Sequence, residues 1–455
     1  MPVLAGLVAL CAALSAPPAA ANSDFVTDIM ADGSAGIGAV LRTERPLYRG
    51  DRWRSDVLPL YLYEGDYAYL HSYRIGLKFA TGPGQRVDLF LSRRLEGFPF
   101  QDVPAGLAGM TMRDTGADIG VSYGQRFDWG RVFGEYLHDS SGASSGSELR
   151  AGYGYERRSG RAQLVPYFML AARDAKLNAY YYGVLPSEST PSRPAYEPGS
   201  GVNGTLGLNA RYDLTNHWHF LAGISATRWA GTVRRSPIVE DRLQLAVFGG
   251  FAYEFAPSTP KPGWDHDPLI FKVFHGESSD CNLMRIMALS CTTTGTIDKS
   301  RVDSIEIGRP FAEEPHGWPV SIVGYLGLLR HEERGLQPDF WQVNIYLKAF
   351  YWGFPWSERV RTRIGFGAGL SQAQSVPYAE ARDQARRGGN STKLIQYLDP
   401  TIDVSIGDIF GYRAWRETHV GLGVSHRSGV FKAIRLFDNA YGGSNYIYTY
   451  LEWRM

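Results

Sequence analysis

The sequence predicts an all-β protein made of transmembrane antiparallel β-barrels, about twelve strands and then eight, two in tandem. Three observations predict it. The closing segment Asn445–Met455 alternates strictly: Ile447, Thr449, Leu451, Trp453 and Met455 share one face, and Tyr446, Tyr448, Tyr450, Glu452 and Arg454 the other, as the period of an extended strand requires. Apolar residues at the last, third-last and fifth-last positions are how bacterial outer-membrane barrels end. A second such ending lies mid-chain, where Leu243, Leu245, Val247, Phe251, Tyr253 and Phe255 share a face. Finally, connections in the second half alternate between short and long, the pattern of periplasmic turns and external loops.

Composition sets limits. The 455 residues carry a formal net charge of +1, which leaves no footprint for nucleic acid. Residues 1–21 read as a secretory signal: Val3–Leu14 is apolar and Ala19-Ala20-Ala21 suits cleavage. Cys11 follows Leu10, a poor lipobox, so lipidation is not expected. Beyond this segment no apolar run is long enough for a spanning helix. A barrel escapes that test, because only alternate residues meet lipid. Cleavage leaves Cys281 and Cys291, which in an oxidising compartment read as a loop disulfide rather than a reactive or metal pair.

Taken in order, residues 34–255 offer Asp56–Tyr63, Tyr67–Phe79, Arg86–Arg93, Asp118–Phe127, Gly130–Leu137, Ser147–Tyr155, Ala162–Ala171, Gly204–Tyr212, His217–Thr227 and Arg242–Phe255 among about twelve strands. Residues 256–268, with four prolines, read as a linker. Residues 269–455 supply eight candidates: Leu269–Glu277, Val302–Pro310, Trp318–His331, Phe340–Gly353, Arg359–Gln372, Tyr397–Gly407, Glu417–Arg427 and Asn445–Met455. In Arg359–Gln372, Val360, Thr362, Ile364, Phe366, Ala368 and Leu370 would face lipid, and Arg361, Arg363, Gly365, Gly367, Gly369 and Ser371 a polar lumen. Both strand counts are even, as barrels require. One barrel of about twenty strands is the alternative; the internal Phe255 ending and the prolines favour two. A soluble sandwich array would need neither two aromatic strand ends nor alternating loop lengths.

His426 and Ser428 share a face with Val420, Leu422 and Val424, opposite Gly421, Gly423, Ser425 and Arg427. They therefore continue the lipid-facing side. Asn445 has the parity of Ile447, Leu451 and Trp453, again that side. It lies ten residues up a tilted strand from a periplasmic terminus, ~25 Å, near the outer rim of the apolar belt, and the strand ending in His426 and Ser428 finishes level with it. A polar strand end at the interface is the bland reading. The sharper one is an ester-hydrolysing site: Ser428 as nucleophile, His426 as general base, Asn445 as the group holding the imidazole, and the Gly429 N–H as an oxyanion donor. Asn445 would fix the tautomer without stabilising an imidazolium as a carboxylate does. Glu452 is excluded, being lumenal in parity and periplasmic in depth. Arg382, Arg386, Arg387 and Lys393, on a loop read as Ala381–Lys393, would contact lipid A phosphates or remain solvated. Asp265-His266-Asp267 lies in the linker and is not read as a metal site. Gly365–Gly369 is a lumenal glycine face rather than a nucleotide loop. No metal or cofactor is expected.

Residues ~35–255 resemble the MltA-interacting protein (MipA/OmpV) family. The resemblance rests on Gly36–Tyr48, Val57–Leu62, Tyr181-Tyr-Gly-Val, Arg193-Pro-Ala-Tyr-Glu-Pro-Gly, Leu208–Asn216 with His217-Trp218, Ser236-Pro-Ile-Val and Phe251–Phe255. It implies an outer-membrane barrel and a scaffolding role with murein-synthesising and murein-hydrolysing proteins, and it brings no catalytic residues. Residues ~269–455 resemble the eight-stranded PagL-type lipid A 3-O-deacylases in strand number, in His426-x-Ser428 and in the Asn445 strand. That family uses Ser, His and usually Glu on lipopolysaccharide. Here Gly429 stands where the family usually has Asn, and Asn445 where it has Glu. Three functions follow as expectations: a scaffold or structural outer-membrane protein with a deacylase-like second barrel, an active lipid A esterase, and a porin-like channel.

Overall fold

The computed structural model describes residues 35–51, 53–98, 103–240, 243–255, 268–295, 297–429, 434–441 and 443–455. The expected signal segment, linker residues 256–267 and the Asp265–Asp267 triplet lie outside them. The chain divides into two compact units between Glu254 and Phe255.

The first unit holds β1 (Ala35–Glu44), β2 (Arg54–Glu64), β3 (Ala68–His71), β4 (Arg74–Gly82), β5 (Gln85–Arg94), β6 (Gly116–Phe127), β7 (Gly130–Asp139), β8 (Ser147–Gly154), β9 (Arg157–Ser159), β10 (Ala162–Arg173), β11 (Gly201–Asp213), β12 (Trp218–Arg228) and β13 (Leu243–Phe255). The three-residue β9 pairs beside the start of β10, and the other twelve strands close a barrel through β13–β1 and β10–β11. The connections after β1, β5, β7, β10 and β12 are long and share one end, the external end by the barrel rule.

One sequence expectation is corrected here. Tyr67–Phe79 is not a single strand but the hairpin β3–β4. Ser72 adopts φ +55° at its tip. Its N–H donates to the Tyr61 carbonyl (3.1 Å) and its Oγ accepts from the Tyr61 N–H (3.1 Å), so it caps the short β3 against β2. His71-Ser72-Tyr73-Arg74 carries no Gly, Asn or Pro, the residues that usually announce such a turn.

The long connections fold together. Leu47, Tyr48, Phe98, Leu107, Tyr181, Tyr182, Trp229 and Ile238 form one buried cluster, with Tyr181 and Tyr182 on α1 (Ala175–Tyr182). Lumenal Arg173 stacks under Trp229 at 5.0 Å and pairs with Glu96 at 2.8 Å. The apolar cluster therefore packs against the charged external end of the lumen.

The second unit is a closed eight-stranded barrel: β14 (Ile270–Ser279), β15 (Arg301–Glu313), β16 (Val320–Glu332), β17 (Phe340–Tyr351), β18 (Thr362–Ala373), β19 (Leu394–Ser405), β20 (Thr418–Ser428) and β21 (Asn445–Arg454). Alternation sorts the residues as expected: Leu451 is exposed on the outside, while Tyr446, Tyr448, Tyr450 and Glu452 are buried inside. Lumenal glycines make the packing possible. A Cβ on Gly365 would lie 2.5 Å from both the Lys348 side chain and Thr401 Oγ1. The space they leave is filled by ion pairs. Lys348 Nζ donates to Asp399 at 2.6 Å, and Lys272 Nζ donates to Asp399 and lies against Glu306, each at 3.1 Å. Tyr346 donates to Glu306 at 2.6 Å, and Tyr448 donates to Asp399. This lumen is a packed core; the porin-like expectation concerned the twelve-stranded barrel and is not addressed by it.

Two short helices lie among the external connections of this barrel, α2 (Leu283–Met287) and α3 (Tyr378–Arg387). The second replaces the loop expected over Ala381–Lys393. Gly388 closes it at φ +61°, the usual left-handed stop. α3 leans on buried Glu333, whose carboxylate accepts from the Tyr378 N–H. Burial pushes Glu333 up to about 7, partly offset by that hydrogen bond. A raised carboxyl stabilises the fold at low pH. That contribution is lost as pH rises from the ordinary value of 4.5 through about 7, a change of about 3 kcal/mol. Glu333→Gln should flatten the urea-unfolding midpoint between pH 5 and 8; an unchanged slope would refute this.

Candidate active site on the external rim

β20 and β21 pair directly, with His426 opposite Asn445. Parity places both outward, and the structure joins them: His426 Nδ1 and Asn445 Oδ1 are 2.7 Å apart. The amide nitrogen of Asn445 donates to the Cys281 carbonyl at 2.9 Å. This second bond fixes the amide's orientation. Its oxygen must face the imidazole, so Nδ1 carries the proton and Nε2 the lone pair; the ring also meets the Ser444 backbone. Ser428, half-buried, follows on the same outward side at the end of β20.

Sequence reasoning did not foresee the Cys281 carbonyl. Cys281 and Cys291 are disulfide-bonded. The loop they close turns back over the barrel wall and packs Cys281 and Ile286 on Val424, with Leu283 and Ile447 around them. Val424, expected to meet lipid, is therefore covered by the chain itself. Asn282 starts α2 by accepting from the Arg285 N–H at 2.9 Å. Removing the bridge should loosen this loop by about 2–3 kcal/mol. Cys281→Ser is expected to speed trypsin cleavage after exposed Arg285 at least tenfold; equal rates would refute it.

The residue between His426 and Ser428 anchors them from the lumen. Arg427 donates to Glu380 (2.9 Å), to Ser371 Oγ (2.7 Å) and to the Thr392 carbonyl (3.1 Å). Glu380, on α3, also accepts from Ser391 and from Ser444 Oγ, beside Asn445. One buried carboxylate thus ties both strands of the site together. Gly429 is dictated by close approach: a Cβ there would lie 2.0 Å from the Ala440 carbonyl oxygen, so an Asn would not fit.

The remaining sequence candidates are dispersed. The Arg382 guanidinium is held by Asp280 and Asp298, an arrangement that leaves it poorly placed for a phosphate. Arg387 pairs with Asp383 at 3.0 Å, and Arg386 and Lys393 are exposed. Glu452 accepts from Tyr325 and Arg363 inside the barrel (2.8 and 2.7 Å), away from the outward site. The outward face carries another polar pair, His275 with Asp303 at 2.7 Å. Polarity on this face is therefore not confined to the site; what sets the site apart is the fixed His426–Asn445–Cys281 chain of hydrogen bonds.

Two closed antiparallel barrels with apolar outer faces define an outer-membrane β-barrel protein. Residues 35–255 match the family described as MltA-interacting protein MipA, and the first barrel belongs to it. Outer membrane protein OmpV of Vibrio cholerae is 27% identical over 233 residues, 50% of this chain and 82% of that protein. The outer membrane protein Omp26La of Vibrio anguillarum is 29% identical, over 40% of this chain and 71% of its own. The putative outer membrane protein YiaT of Escherichia coli K12 is 25% identical, over 51% and 96%. Among solved structures, the siderophore receptor PirA of Acinetobacter baumannii aligns with 94% of this chain and 81% of its own at 7% identity, with a TM-score of 0.25, too low to define a shared fold.

Proposed function

We propose that the second barrel hydrolyses an acyl ester of lipid A-type glycolipid in the outer leaflet, and that the first barrel is a scaffold for a murein-processing partner. The observation that carries the esterase reading is the outward His426–Asn445 pair, held in one tautomer by the Cys281 carbonyl, with Ser428 two residues further along the same side of β20. The Nε2 lone pair of His426 takes the Ser428 hydroxyl proton as Oγ attacks the ester carbonyl. The sugar oxygen then leaves with that proton, and water cleaves the acyl-serine to release a fatty acid. With an amide rather than a carboxylate behind it, the imidazolium gains orientation but no charge stabilisation, so turnover should be slow.

The scaffold role is supported by the family's description, which names interaction with MltA. A purely non-catalytic second barrel is the competing reading, favoured by the amide at position 445. The test is lipid A mass spectrometry on cells expressing the full chain, the Ser428→Ala variant, or neither. Loss of one hydroxyacyl chain with the full chain alone is expected. Identical spectra across growth conditions would leave only the scaffold.

A further inference from the structure

In the first barrel, three aromatic side chains stand directly across a strand pair from a glycine. Phe133 of β7 is opposite Gly152 of β8, Tyr167 of β10 opposite Gly207 of β11, and Phe248 of β13 opposite Gly223 of β12. A Cβ on these glycines would lie 2.4, 2.3 and 2.2 Å from the respective ring. Each ring therefore lies over its glycine and stays against the barrel wall. A side chain at any of the three glycines would push the ring toward the barrel axis. Such pairs support a sheet wherever they occur, and Phe90 over Gly120 is another. There the Arg74 guanidinium covers the ring at 3.4 Å. Phe133, Tyr167 and Phe248 instead share a lumenal cavity of about 390 Å³, within the size range of a small-molecule pocket.

The opposite arc of the cavity has a different character. The rings come from β7, β10 and β13, whereas β1, β5 and β6 supply Arg42, Glu44, Arg94 and Asp118. These charges are matched among themselves. Arg42 pairs with Glu44, and Arg94 pairs with Asp118 at 2.9 Å and with Glu148 at 2.6 Å. Arg150, which also lines the cavity, pairs with Glu148 at 2.7 Å. A guanidinium in an ion pair keeps further N–H donors, and a carboxylate keeps further lone pairs. The arc thus offers donors and acceptors side by side. A free anion or cation would have to break one of these pairs to bind. A ligand whose polar groups each donate and accept would not.

From rings on one arc and paired charges on the other, we infer that the first barrel binds an uncharged saccharide of one or two rings. The weakly positive C–H face of a pyranose meets the negative faces of Tyr167 and Phe248. Its hydroxyls, each a donor and an acceptor, meet the Arg42–Glu44 and Arg94–Asp118 pairs. The inference rests neither on the hydrolysis proposed for the second barrel nor on the scaffold role of the first.

The test is saturation-transfer difference NMR on the full chain in phosphatidylcholine nanodiscs, with empty nanodiscs as the blank. Glucose, galactose, mannose, N-acetylglucosamine, xylose, maltose and cellobiose are offered one at a time. Transfer to the ring C–H protons of at least one of these sugars is expected, strongest on one face of the ring. Ala246→Trp, which fills the cavity from β13, should abolish it. Phe248→Leu removes one ring face and should raise the half-saturating sugar concentration about fivefold or more. That smaller change keeps the test decisive should the tryptophan disturb the barrel, and migration on unheated gels reads the folding of both variants. Citrate at equal concentration should not compete. No transfer to any of these sugars, transfer unchanged in both variants, or displacement by citrate would overturn the assignment.

Discussion

Replacing Ser428 by Ala should lower ester hydrolysis by the second barrel about 10⁴-fold or more, to the background rate, because the other members of such a unit do little without the nucleophile. The variant should remain folded, since Ser428 is half-buried at a strand end and Arg427 keeps its lumenal bonds. Asn445→Asp makes a sharper companion. A carboxylate there would stabilise the imidazolium and should raise the rate about tenfold. It would also lose the donor that now meets the Cys281 carbonyl and set two oxygens against each other. The same variant should therefore cleave faster after Arg285 in trypsin. A faster hydrolase with a looser loop is the expected pair of outcomes, read from deacylated lipid A per hour and from the digestion rate. If Ser428→Ala leaves a measured hydrolysis unchanged, the outward site is not its source.

How much of this was legible in the sequence follows from which forces act locally. Strand parity is local, and alternation alone sorts Tyr446, Tyr448 and Tyr450 inward and Leu451 outward, where they are found. Counting residues from the terminus brings His426 and Asn445 to one height and one face. What escaped depends on contacts between distant segments. The Asn445–Cys281 bond spans 164 residues, and nothing at either position announces it. The disulfide loop that covers Val424 is another such contact, since spacing predicts a closed loop but not which wall it rests on. The β3–β4 hairpin escaped for a different reason: Ser72 reaches φ +55° with its own hydroxyl and N–H satisfying Tyr61, so the tip needs no Gly, Asn or Pro to announce it.

The lumen of the second barrel supplies the largest stability effect. Asp399 is fully buried and binds two equally buried ammonium groups, Lys272 and Lys348, at 3.1 and 2.6 Å. Asp399→Asn removes the shared anion while leaving both cations in a space packed with Tyr346, Tyr448 and Phe350. Uncompensated buried charge of this kind costs about 3–5 kcal/mol, far more than an exposed pair. The folded, fast-migrating fraction on unheated gels should then collapse at a much lower urea concentration. Adding Lys348→Met to Asp399→Asn removes one cation with the anion and leaves Lys272 against Glu306. That double variant should recover more than half of the loss, because the penalty lies in the unpaired charge rather than in the absence of a salt bridge. A single Asp399→Asn variant as stable as the parent would mean that water reaches these lysines and that the interior is not the packed core described.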